Sequence, residues 1–155
     1  MRRIDALDRK ILAIVQADAT LSVAEIGSRV GLSQTPCWRR LQKLRADGVI
    51  EATVALVNPE AIGLGLTIFI NIQALDHSPD WLRQFTAVVV ARPEVLEVHR
   101  MAGDVDYLLR VAVPDMAAFD AFYRDLIAAV PLKNVSSYFA MERVKSTTAY
   151  AVPAT

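Results

Sequence analysis

The sequence predicts an α+β chain in two parts, a tri-helical head and a β-α-β-β-α-β body. Three observations predict it. Apolar residues recur at helical spacing through the first 45 residues, and further on they alternate with a period of two. Asn58-Pro59 and the glycines at 63 and 65 mark a boundary between the two regimes. Charge also divides along the chain. Residues 1–50 hold nine Lys/Arg against five Asp/Glu, and residues 51–155 hold eight against twelve, so a net charge of zero conceals a basic head on an acidic body. The plainer account of that division is chance scatter. The expected parts are a head over 1–50, a linker strand over 51–64 and a body over 65–155.

In the head, Ile4, Leu7, Ile11, Ile14 and Val15 place a first helix at about 5–17, ended by Asp18-Ala19-Thr20. Ser22 with Glu25 three residues on is a capping-box pattern, and it starts a second helix that buries Val23, Ile26 and Val30. Gly31 supplies the turn. Ser33 or Thr35 can cap a third helix, whose first turn tolerates Pro36. Cys37, Leu41 and Leu44 fall on one side of that helix. Thr35, Arg39, Gln42 and Lys43 fall opposite, with Trp38, Arg40 and Arg45 along the seam. Asp47-Gly48 stops it, and the weak alternation from Val49 to Val57 suggests a wing-like strand or a linker.

The body opens on a strand with Leu66, Ile68, Ile70 and Ile72 to one side. Ser78-Pro79 starts a helix with Leu82, Phe85 and Val89 inward, ended by Pro93. Two strands at about 95–101 and 107–113 meet at Gly103-Asp104-Val105-Asp106. Pro114-Asp115 starts a helix with Phe119, Phe122, Leu126 and Ile127 inward, and a last strand covers about 134–145. This order is the split βαβ, or ferredoxin-like, arrangement.

Composition narrows the function. Apolar residues make up 54% of the chain, enough for a core, but no run approaches the ~18–20 needed to cross a bilayer. The first residues, MRRIDALDRK, lack the apolar stretch of a secretion signal, and the single cysteine forms no internal disulfide. A cytoplasmic protein is expected. His77, His99 and Cys37 are scattered, and no metal-ligand spacing is present, so neither a metal, a cofactor nor a catalytic set is expected. A cationic helix on a small tri-helical base suits a DNA major groove.

With these motifs placed, the chain resembles the Lrp/AsnC family of regulators over essentially its whole length. The resemblance is carried by LDRKILAIVQAD, GLSQTPCWRRLQKLRADGVI, LVNPEAIGLGL, MAGDVDYLLRVAVPDM and YFAMERVKS. The TPCW block with HRMAGDVDYLLRV is most similar to the subgroup that includes regulators of cysteine detoxification. The resemblance implies a winged helix-turn-helix on a small-molecule domain. It also implies double-stranded DNA and a small amino acid as partners, and a homodimer that often builds octamers. A ligand-independent architectural DNA binder is the alternative.

The expected DNA contacts are Ser33, Gln34, Thr35, Pro36, Arg39, Arg40 and Lys43. Gln can pair with adenine and Thr can touch a thymine methyl, while outward Arg39 suits bidentate guanine readout. Arg40 and Lys43 are expected on phosphates. The bland reading is a solvated cationic face. Trp38 can stack on a nucleotide or sit at the edge of the core. Cys37 can be a helix-terminal redox thiol or a packed, inert one.

The resemblance places the effector at the loop between the second and third body strands. Gly103 leaves backbone N–H groups open to a carboxylate, and Asp104 or Asp106 can take an ammonium. Met101 and Tyr107 belong to the same loop, and Ser136, Ser137 and Tyr138 can close the pocket. His99 and Met101 are candidates for side-chain selection. Gly-Asp is also ordinary hairpin-turn chemistry.

Overall fold

The computed structural model describes residues 4–153. They divide into two compact units. One holds the described residues up to Leu56 together with those from Val144 onward; the other is Val57–Arg143.

The first unit is built on α1 (Ala6–Ala17), α2 (Val23–Val30) and α3 (Gln34–Ala46). Each of the first two helices begins in a capping box. Asp5 and Asp8 exchange backbone N–H bonds at α1, and Ser22 and Glu25 do so at α2. Ile11, Leu12, Ile26, Val30, Cys37, Leu41 and Leu44 form one buried cluster, where the three helical stripes meet. Gly31 ends α2 at φ 75°, the left-handed conformation a glycine adopts without strain.

No wing strand forms: residues 51–57 pair with no other segment among the described residues, while the N–H groups of Val49 and Ile50 both donate to the Leu44 carbonyl. The described residues from Val144 onward pack with this unit. Gln16 and Tyr150 exchange two bonds, Tyr150 N–H donating to Oε1 at 2.8 Å and Nε2–H donating to the Tyr150 carbonyl at 3.3 Å. Arg9 donates to the Pro153 carbonyl at 2.5 Å, and Val152 packs on the three-helix core.

The second unit contains β1 (Leu66–Ala74), α4 (Pro79–Val90), β2 (Val95–Arg100), β3 (Tyr107–Val113), α5 (Met116–Ala129) and β4 (Leu132–Phe139). The sheet order is β2-β3-β1-β4, every pairing antiparallel, as the split βαβ order requires. Ile68, Ile70 and Ile72 of β1 and Leu109, Val111 and Val113 of β3 face the helices and are buried. Trp81, Phe85 and Tyr107 stack at the centre, with ring centroids 4.6–5.9 Å apart.

The helix faces are turned slightly from the expected ones. On α4 the buried residues are Trp81, Phe85 and Val89, while Leu82 is partly exposed. The Trp81 indole N–H donates to the Pro131 carbonyl at 2.7 Å, which lets a polar-tipped ring occupy the core. On α5, Phe119, Phe122 and Leu126 are buried and Ile127 is exposed. The last strand stops at Phe139, six residues short of the expected end. Among the described residues no helix is long and apolar enough to cross a membrane.

Candidate nucleic-acid interface and effector loop

Helix α3 starts at Ser33, whose side chain makes no capping bond, so its hydroxyl stays available at the helix tip. Ser33, Gln34, Thr35 and Pro36 are all exposed, as are Arg39 and Lys43 further along. Beneath them Cys37 and Leu44 are fully buried and Leu41 nearly so. Burial pushes the Cys37 thiol up from its ordinary value, which is the behaviour of a packed thiol rather than a reactive one. Trp38 is half exposed.

Gly27 sets the packing of the turn. A Cβ there would lie 2.7 Å from the Leu32 carbonyl oxygen, so α2 and the start of α3 approach as closely as they do only over glycine. The Leu32 N–H donates back to the Gly27 carbonyl at 2.8 Å.

Arg40, expected on a phosphate, is engaged within the chain. Its Nη1 donates to Asp5 Oδ2 at 2.6 Å and to Asp8 Oδ1 at 2.8 Å, so the side chain turns back onto the first turn of α1. Asp8 is fully buried. The Asp8 backbone N–H and then the Arg40 guanidinium hold the Asp5 carboxyl below its usual range, and the two carboxylates raise Arg40 in turn. Sequence reasoning missed Asp5 and Asp8 as partners. Their three-residue spacing on α1 was the available signal.

The 101–106 loop, the expected effector site, joins β2 to β3. Met101 N–H donates to the Asp106 carbonyl at 2.8 Å, closing it, and Gly103 sits at φ 126°, which an L side chain rarely adopts. Gln73 Nε2 reaches across from β1 to the Asp104 carbonyl at 2.6 Å. The backbone N–H groups of Ala102, Gly103, Asp104 and Val105 make no hydrogen bond among the described residues. Consecutive free N–H groups at a turn are an anion cradle.

The two aspartates differ. Asp104 is exposed, and its carboxylate makes no hydrogen bond or ion pair among the described residues. Asp106 is committed: Oδ2 accepts the Ala74 N–H at 2.8 Å, at the bulge that ends β1, and Oδ1 lies 3.9 Å from His77 Nε2. Gln73 and His77 were not expected here. They come from β1 and the residues just after it, which local sequence cannot connect to residue 104 or 106.

The remaining expected residues do not converge on the loop within one chain. Tyr107 is in the core against Phe85 and Trp81. Ser136 and Tyr138 pair with Asn71 and Phe69 on the sheet face away from the helices, and Ser137 alternates to the opposite face. That open face also carries Glu97, bonded to His99 at 3.1 Å and paired with Arg110 at 2.6 Å. His99 and then Arg110 keep the Glu97 carboxyl below its usual range.

Comparison with known proteins agrees with both halves. Residues 4–45 match the AsnC-type helix-turn-helix domain, and residues 67–150 match the Lrp/AsnC ligand binding domain. The chain is 49% identical to the DNA-binding transcriptional activator DecR of Escherichia coli over 150 residues, covering 96% of this chain and 99% of that one. It superposes on a crystal structure of an AsnC family transcriptional regulator from Agrobacterium tumefaciens with TM-score 0.91 and 54% identity, covering 95% of this chain and 96% of that one. The Neisseria meningitidis transcriptional regulator NMB0573, in complex with L-Met, gives TM-score 0.91 at 35% identity, covering 96% of this chain and 97% of that one. An exposed cationic helix on a glycine-tightened turn, and matches running through both units, lead to one conclusion: the chain is a DNA-binding transcriptional regulator of the Lrp/AsnC family.

Proposed function

We propose that this regulator binds specific operators through α3 and is switched by a small amino acid held at the 101–106 loop. The observation that carries the reading is the two-sidedness of α3. Gln34, Thr35, Arg39 and Lys43 are exposed, while Cys37, Leu41 and Leu44 anchor the helix from below. A helix tip with free polar groups and cations behind it meets base edges first and phosphates next. Arg39 is assigned to base readout and Lys43 to a phosphate.

For the effector, the free N–H groups of 102–105 suit its carboxylate and exposed Asp104 suits its ammonium. The L-Met bound by the Neisseria protein supports the amino-acid class. Within one chain the loop is open, so a second copy is assigned the remaining wall. A homodimer also presents two heads to half-sites about one helical turn apart, or a multiple of it. The effector shifts assembly or head spacing only by its different affinity for the two states.

The test is a gel-shift titration on an operator selected by the wild-type protein from random DNA. Arg39→Ala is expected to lose specific binding and to keep its oligomeric state by light scattering. Unchanged operator affinity removes α3 from the reading. A thermal-shift screen of the twenty amino acids, with Asp104→Asn as control, tests the loop. A shift that persists in Asp104→Asn removes that carboxylate from the site.

A further inference from the structure

We propose that Arg40 is a positioning residue. It braces α3 against α1 through Asp5 and Asp8, and the brace sets the rotation at which α3 presents Arg39 to DNA. The inference rests on the reading of α3 as the helix that enters the groove.

The two carboxylates serve the helix cap and Arg40 together. Asp5 Oδ1 accepts the Asp8 N–H at 2.8 Å and its Oδ2 accepts Arg40 Nη1 at 2.6 Å. Asp8 Oδ2 accepts the Asp5 N–H at 3.3 Å and its Oδ1 accepts the same Nη1 at 2.8 Å. Each carboxylate thus turns one oxygen to the helix cap and the other to Arg40. The cap fixes how both carboxylates are turned, so the point they offer Arg40 is fixed by the start of α1.

Charge argues the same way. One guanidinium faces two carboxylates, one of them fully buried. Moving Arg40 to a phosphate gives up two short charge-assisted bonds, one of them to a fully buried carboxylate, in exchange for an exposed ion pair of small worth. Arg39 and Lys43 carry no such tie and remain exposed.

Arg39 and Arg40 are adjacent and so point ~100° apart around the helix. A brace on one therefore fixes the azimuth of the other. A rotation of α3 by ~10° moves an extended side-chain tip by more than ~1 Å, which a base-edge hydrogen bond does not tolerate.

The experiment uses the full chain, the selected operator and an unrelated duplex. Affinities are measured over a range of salt at a temperature where each variant is folded by circular dichroism. Asp5→Asn is decisive, because asparagine caps a helix about as well as aspartate and the change removes a negative charge from a DNA-binding head. Positioning predicts that it weakens operator binding, by about tenfold, the worth of one base contact, and leaves the unrelated duplex unaffected or bound more tightly. Arg40→Gln is expected to lose operator affinity alike with its salt slope unchanged, and Arg40→Lys to recover part of it through one nitrogen serving both carboxylates. Tighter operator binding by Asp5→Asn overturns the proposal. So does a fall of about 0.9 in the salt slope of Arg40→Gln, the mark of a lost phosphate contact. A lowered melting temperature with an unchanged ratio of operator to unrelated affinity also overturns it. If Arg40→Gln does not fold, Asp5→Asn decides alone. If Arg39→Gln leaves the ratio untouched, α3 is not the reading helix and the inference falls with that reading.

Discussion

Helix α3 and the 101–106 loop are both candidate binding elements, yet they are held in opposite ways. Under α3 lie three buried side chains of the head's core, and Arg40 ties the helix to the start of α1. The loop has no core residue of its own between Met101 and Asp106. Its bonds to β1 are single ones: Gln73 Nε2 and the Ala74 N–H donate to it, and the Asp106 N–H donates to the Ile72 carbonyl. A surface carried on a packed helix reads out in periodicity, whereas one hung from a neighbouring strand does not.

That contrast is sharpest at the core. Leu41→Ala empties space directly beneath the exposed face and is expected to destabilise the head by ~2–5 kcal/mol. Operator binding should be lost in a gel shift while an amino-acid-dependent thermal shift of the body survives. Loss of both responses would break the distinction. Asp106→Ala should cost less, about 1–3 kcal/mol for an unpaired Ala74 N–H. Its signature is a lost effector response with DNA affinity intact.

Smaller still is Ser22→Ala, which removes the side-chain half of the α2 cap. About 1 kcal/mol of stability should go in a urea titration, with no change in effector response. Smallest is the effect of acid. The Asp5 carboxyl is held low in the folded state, so its contribution is present above the ordinary value near pH 4 and is lost as pH falls through the lowered one. Asp5 is half exposed and the effect is screened. The melting temperature below about pH 4 should therefore decline slightly less in Asp5→Asn than in the wild type.

Much of the fold was legible because caps and stripes are local. Ser22 with Glu25 marks the start of α2, and the isoleucines of β1 mark its buried face. What failed was what local pattern cannot encode. Helical spacing says where a Cβ points, but Arg40 is long enough to double back to α1. The apolar stripe of α4 is wide enough to favour Leu82 over Trp81, and the carbonyl that accepts the Trp81 indole N–H belongs to a distant loop. Asp104 and Asp106 look alike in sequence. Only the strand pairing that brings Ala74 beside Asp106 separates an occupied carboxylate from an open one. The expected wing had no partner strand among the described residues, and alternation alone does not make a ladder.

The clasp between Gln16 and Tyr150, with Val152 seated on the helices nearby, has a practical side. Severing the polypeptide after Leu56 to isolate the front portion discards a partly buried side chain that packs on that portion's core, although the missing residues lie almost a hundred positions downstream. The two ends are best regarded as a single folding unit interrupted by an inserted module.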